Sequence, residues 1–205
     1  MKLYQVAVSP FAVRVRIAIY AKGLTPEFAD PPGGMGSDAY RKLTPFGKVP
    51  TVVCDDGTVI AESAVINEYL DEQFPALALL PAAPQERARA RMLVQMTDAY
   101  VFARYLPLFS TVKSEGKTSS AVADGMEGVK EGLAALERFV DDDTYAVSDC
   151  LTLADCALAP ALFYITEYAE EYFGAGDALD QCPKLKSYWV RIQADPHVAR
   201  ALADK

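Results

Sequence analysis

Two short stretches carry side chains whose types and spacing suit the binding of an anion. Between Thr44 and Pro75, Glu62 and Ser63 open a run in which Val65, Ile66, Tyr69, Leu70 and Phe74 recur at helical spacing, so a helix with Ser63 at its N-cap is expected. The first turn of such a helix offers free amide hydrogens and the positive end of a dipole, which together hold a carboxylate. Lys48 adds a cation. Pro50 cannot donate to a strand ladder, so Lys48-Val49-Pro50 marks a place where an edge backbone stays free to pair with something else, and a cis Val49-Pro50 bond is expected there. The second stretch is Ser9-Pro10. A serine at an N-cap followed by proline at the first helical position puts a hydroxyl where a helix dipole favours an anion.

The elements around these residues follow from periodicity. Lys2 to Val8, with Leu3, Tyr4, Val6 and Val8, reads as a first strand. A helix follows from Pro10, with Val13, Ile17, Tyr20 and Leu24 on one face, Gly23 at its C-terminal end, and Arg14 and Arg16 directed elsewhere. Asp55-Asp56-Gly57 between the β-branched runs Thr51 to Val53 and Thr58 to Ala61 is a hairpin signal. Strand, helix, irregular stretch, hairpin and closing helix make a small α/β unit over residues 1–78. Residues 76–84 are proline-rich and read as a linker. Beyond it the pattern is helical over 85–205: Gln85 to Tyr105, ending before Pro107; a helix marked by Val122, Met126, Val129, Leu133, Leu136 and Val140; a capped helix at Thr152-Leu-Ala-Asp155 with Pro160 inside it; a helix with Leu185, Tyr188, Trp189 and Ile192; and a short last one from Pro196.

Composition narrows the function classes. Of 205 residues 51% are hydrophobic and 23% charged, enough apolar material for a sizeable core. The net charge of −8, with no dense basic stripe, argues against nucleic acid or an anionic membrane as partner. The glycine-rich Asp30 to Ser37 loop lacks the Gly-Lys-Ser/Thr ending of a phosphate cradle. Cys54, Cys150, Cys156 and Cys182 form no Cys-x-x-Cys pair, and His197 is the one histidine, expected on the surface; no metal site, redox pair or Ser-His-Asp triad is therefore expected. No apolar run suits a signal peptide or membrane helix, which points to a cytoplasmic protein.

The ordered set Lys48-Val49-Pro50 and Glu62-Ser63 resembles the glutathione-binding half of the cytosolic glutathione transferases. The stretch from Ser9 to Leu24 comes closest to their serine-type members, such as the plant tau class, and Leu151 to Pro160 resembles the capped core helix of their C-terminal domain. The resemblance implies a thioredoxin-like α/β N-terminal domain (1–78) with an all-α C-terminal domain (85–205). It implies glutathione as co-substrate, its cysteinyl part on the Val49 backbone beside Pro50, with Lys48 nearby. Its γ-glutamyl end would lie on Glu62 and Ser63, and its thiol would be activated by Ser9. Tyr4 is the rival hydroxyl, because other classes use an N-terminal tyrosine. Ser37, Arg41 and Lys42 lie in the region that holds the glycyl carboxylate, with nothing to choose among them. Phe11, Tyr100, Tyr105, Tyr164 and Tyr168 are candidates for the walls of an electrophile pocket.

The expected function is detoxifying conjugation of the glutathione thiolate to small apolar electrophiles by a homodimer. The alternative is a non-catalytic transferase-like binding or interaction protein. Maleylacetoacetate isomerases of the same superfamily resemble Ser-Ser-Cys where this chain has Ser9-Pro10-Phe11, which speaks against that activity.

Overall fold

The computed structural model describes residues 1–204. Its internal contacts divide the chain into two compact units: Met1–Leu79 together with the residues from Pro196 onward, and Leu80–Asp195.

The first unit contains β1 (Lys2–Tyr4), α1 (Pro10–Ala21), β2 (Glu27–Ala29), α2 (Asp38–Arg41), β3 (Thr51–Val53), β4 (Val59–Ala61) and α3 (Ser63–Gln73). The sheet order is β2-β1-β3-β4, with β1 parallel to β2 and antiparallel to β3, so α1 is the crossover between the two parallel strands. The expected hairpin pairs Thr51 with Ala61, Val52 with Ile60 and Val53 with Val59. Its turn is held by the Cys54 amide on the Thr58 carbonyl and by the Thr58 amide on Asp56 Oδ1, both at 2.9 Å. β1 stops four residues short of Val8. The Gln5 amide still reaches the Ala29 carbonyl (3.0 Å), but the Ser9 amide turns back to the Val6 carbonyl (2.9 Å), so residues 5–8 bend to deliver Ser9 to the start of α1.

Every residue of α1 from Ala12 to Ala21 is buried, Arg14 and Arg16 included. The expectation that these arginines face away from the core is overturned. The apolar residues of α1 go round the whole helix, and a helix of that kind is covered on all sides. α3 packs on it, and so does the last helix, Pro196–Ala203, whose Val198, Ala201 and Leu202 are buried. The C-terminal segment therefore belongs with the first unit, where the sequence pattern had grouped it with residues 85–195. Tyr20 reinforces that packing: its hydroxyl donates to Asp204 at 2.6 Å, and the Arg200 guanidinium lies 3.9 Å from the centre of its ring.

The second unit holds α4 (Pro84–Met96), α5 (Ala103–Glu115), α6 (Ser120–Glu137), α7 (Leu153–Tyr168) and α8 (Pro183–Ile192); the last helix of the chain is then α9. α4 does not end before Pro107. It passes through a π-helical stretch, Thr97–Phe102, into α5, which contains Pro107. A proline costs a helix one bond and a clash, and burial of Tyr105 and Leu108 on the same turns offsets that cost. A second π-helical stretch, Ala169–Phe173, extends α7. The α6 residues singled out by their spacing, Val122, Met126, Val129, Leu133 and Leu136, are all buried. Among the described residues no helix is long and apolar enough to cross a membrane.

Candidate functional site

The first unit brings the start of α3 and the middle of α1 together. The N-cap of α3 is Glu62, not Ser63; Ser63 is the first helical residue, and no side chain caps this end of the helix. Glu62 sits in the left-handed region at φ +69°, rare for a residue with a Cβ and a form of strain that gathers at functional sites. Its side chain is exposed, whereas Ser63 is 6% exposed and turned inward. There the Ser63 Oγ accepts a hydrogen bond from Arg14 Nη1 at 3.2 Å. Arg14 is 1% exposed, lies 5.4 Å from the centre of the Phe11 ring, and its main-chain carbonyl accepts from Asn67 Nδ2 at 3.3 Å. Asn67 Oδ1 is buried and finds no partner among the described residues. A helix start with open amides, a buried hydroxyl and a guanidinium behind it is a receptor for a carboxylate.

Sequence reasoning missed Arg14 because it counted the apolar residues on one face of α1 only. The signal was present: an arginine in a helix that is apolar on every side has to be buried, and a buried cation has to meet acceptors.

The Val49-Pro50 bond is cis. Val49 and Pro50 are buried and Lys48 is exposed. Neither the amide nor the carbonyl of Val49 enters a backbone hydrogen bond among the described residues, while the preceding Lys48 carbonyl accepts from the Tyr40 hydroxyl (3.1 Å) and the Thr51 hydroxyl (3.3 Å). A main chain anchored at the Lys48 carbonyl and open at the Val49 amide and carbonyl can pair with an extended ligand backbone. The loop leading here needs glycine at position 47: φ is +63°, and a Cβ would lie 2.8 Å from the Gly36 Cα.

Ser9 caps α1 as expected, its Oγ accepting from the Ala12 amide at 3.4 Å. Tyr4 lies in β1 with its ring 5.8 Å from that of Tyr40. Of the residues in the region expected to hold the glycyl carboxylate, Ser37 caps α2 through the Tyr40 amide and Arg41 is tied to the Gly36 and Pro45 carbonyls, while Lys42 is exposed.

The aromatic residues proposed as pocket walls are not alike. Tyr105 is fully buried in the second unit, its hydroxyl donating to the Tyr164 carbonyl at 2.7 Å and its ring set edge-on to Phe109 and Phe173; it is core, not a wall. Burial lifts its phenol above the usual range. Tyr164 is also buried; Phe11 and Tyr168 are half-buried, and Tyr100 is exposed. Cys156 and Cys182 are buried thiols, Cys54 is half-buried and donates to the Tyr69 hydroxyl at 3.3 Å, and Cys150 is exposed. His197 is half-buried at the start of α9, not on the surface.

The family model described as "Glutathione S-transferase, N-terminal domain" matches residues 3–81, and that described as "Glutathione S-transferase, C-terminal domain" matches residues 119–188. The chain belongs to the glutathione S-transferase family. Among its relatives is the maleylacetoacetate isomerase of Pseudomonas aeruginosa, 33% identical over 91% of this chain and 88% of that protein. Another is a stringent starvation protein A homolog of Pasteurella multocida, 29% identical over 94% of this chain and 85% of that protein. Among solved structures, a maleyl pyruvate isomerase described as a bacterial glutathione S-transferase in the zeta class superposes with a TM-score of 0.83 at 26% identity, covering 100% of this chain and 98% of the other. The architecture is thus the glutathione S-transferase fold, a small mixed sheet with helices and an all-helical second part. The tau-class likeness read from the stretch Ser9 to Leu24 gains no support from these relatives.

Proposed function

We propose that this protein is a glutathione-dependent enzyme in which the start of α3 binds the γ-glutamyl carboxylate, Val49 pairs with the peptide backbone, and Ser9 activates the thiol. The observation that carries the reading is the α3 start itself, an uncapped helix end with Ser63 and the buried Arg14 guanidinium directed to it. The residues fit glutathione: a carboxylate would complete the open amides, and the unpaired Val49 peptide groups would take an extended chain. Bound glutathione supplies the sulfur nucleophile. Ser9 contributes a hydroxyl at the positive end of α1, able to accept from a backbone amide and to donate outward to a thiolate. A thiol of pKa near 8.5 is about 3% thiolate at pH 7, and lowering it by about two units makes it roughly three-quarters thiolate, a gain of about 25-fold.

For the second substrate we propose small electrophiles that accept a thiolate. The isomerase names of the relatives extend this class to unsaturated acids in which thiolate addition lets a double bond turn, although Pro10-Phe11 departs from the Ser-Ser-Cys pattern. Half-buried Phe11, at the start of α1 beside Ser9, is the proposed contact residue for this second substrate in the first unit. A cytoplasmic homodimer completes the reading, and sedimentation as a monomer at micromolar concentration would remove that part of it.

The deciding experiment is retention on immobilised glutathione, followed by titration of the thiolate absorbance of bound glutathione and a panel of electrophiles and unsaturated diacids. A lowered thiol pKa that returns to normal in Ser9→Ala is the expected result; a pKa still low in Ser9→Ala moves the role to Tyr4 or a backbone amide. Likeness to the starvation-protein homolog favours a second reading, an interaction protein that retains the architecture. Failure to bind glutathione would select it.

A further inference from the structure

We infer that Arg16 is a positioning residue for Ser9, clamping the loop between β1 and α1 against the C-terminal helix α9; the inference rests on the reading of Ser9 as the thiol-activating residue. Arg16 follows Ser9 by seven residues, two turns along α1 and on nearly the same face. Long side chains on a helix lean towards its N-terminus, and this one runs back to the loop that delivers Ser9. Nη1 donates to Gln5 Oε1 at 2.8 Å, and Nη2 donates to the Ala7 carbonyl at 3.0 Å and to the Ala201 carbonyl at 3.1 Å. The side chain is 1% exposed, so these charge-assisted bonds are shielded from water.

Each acceptor has a reason to need this donor. The Ala201 carbonyl lies in the last turn of α9, where carbonyls lack intrahelical partners and a cation is favoured. Ala7 stands two residues before Ser9 in a segment outside the sheet, where the Ser9 amide also turns back to the Val6 carbonyl at 2.9 Å. One planar guanidinium thus fixes both the loop and the helix behind it. A lysine at this position has no fork to reach two elements at once. When the clamp is loosened, the Ser9 hydroxyl loses its register with the sulfur, and part or all of the roughly 25-fold gain in thiolate is lost.

The test uses the full chain in four forms, the parent, Ser9→Ala, Arg16→Lys and Gln5→Ala, with glutathione affinity, the thiol pKa of bound glutathione and kcat/KM for one electrophile measured in each. Expected are a raised thiol pKa in both clamp variants, kcat/KM at pH 7 reduced roughly 10-fold in Arg16→Lys, within the share that Ser9 supplies, and less in Gln5→Ala, and glutathione affinity lower by no more than about 4-fold, the change linked to the thiol proton, since the clamp does not touch Ser63. A general loss of structure would lower affinity further. If Ser9→Ala raises the pKa while folded Arg16→Lys and Gln5→Ala keep the parental value, the positioning role is overturned and Ser9 retains its own. If Ser9→Ala keeps the parental pKa, both readings fall. Should Arg16→Lys not fold, Gln5→Ala decides by the same readout.

Discussion

Two helix starts in this protein solve the same electrostatic problem in opposite ways. At α7 the chain supplies its own anion. Asp155, fully buried, accepts from the Thr152 amide (2.7 Å), the Thr152 hydroxyl (2.8 Å), the Ala146 amide (2.8 Å) and the Tyr188 hydroxyl (3.0 Å). At α3 no side chain among the described residues caps the helix, Glu62 is exposed, and the Ser63 hydroxyl and the Arg14 guanidinium lie at the helix start. The comparison teaches how to tell a structural cap from a receptor. A start that contains its own acceptor is closed and stabilises the fold, whereas one that no side chain caps keeps its amides for an anion that arrives.

The comparison is broken or sharpened most strongly at the closed start. Asp155→Ala strands four buried donors and is expected to lower unfolding stability by about 3 kcal/mol or more; urea unfolding checks this, and glutathione affinity of the remaining folded protein should not change. At the open start the pattern reverses. Arg14→Met replaces a buried cation by an apolar side chain of similar volume, so stability should hold while glutathione affinity falls by about 2 to 3 kcal/mol, roughly 30- to 150-fold. Calorimetry showing unchanged affinity would mean that the guanidinium serves only the fold. Ser63→Ala removes one hydroxyl and leaves the amides, so a smaller loss, on the order of 10-fold, is expected by the same method.

The subtlest test is pH. Burial raises the Asp155 carboxyl to about 6, against the pull of its four donors. A carboxyl whose folded pKa is raised holds its proton more tightly in the native state, so its contribution to stability is complete below about pH 4 and is lost as pH rises towards 6. The urea midpoint of the parent should drop across that window relative to Asp155→Asn, which cannot titrate. Parallel profiles would show that the carboxyl is ionised throughout.

Much of this arrangement was legible in the residues because it is local. The Asp55-Asp56-Gly57 turn between β-branched runs, the Ser9-Pro10 start, the Thr152/Asp155 box and the α6 spacing each depend on neighbours within a few positions, and each appears where the pattern put it. The Val49-Pro50 and Glu62-Ser63 motifs likewise announced the family that the domain matches identify. Some local readings shifted, as with the N-cap of α3, which is Glu62 and not Ser63, but the larger failures depended on the far side of an element. Seen alone, α1 has one obvious apolar face, so Arg14 and Arg16 looked like its solvent side; only α3 and α9, packed on the remaining faces, make them buried donors. Tyr105 looked like a pocket wall because helical spacing says which side a ring lies on and not what covers it. The amino-acid sequence by itself determined where α1, α7 and the β3–β4 turn begin, since capping and turn energies are paid over a few residues. Which polar groups meet in the interior was decided only by the tertiary structure, because contacts such as Arg14 with Ser63 and Arg16 with Ala201 join residues far apart in the chain.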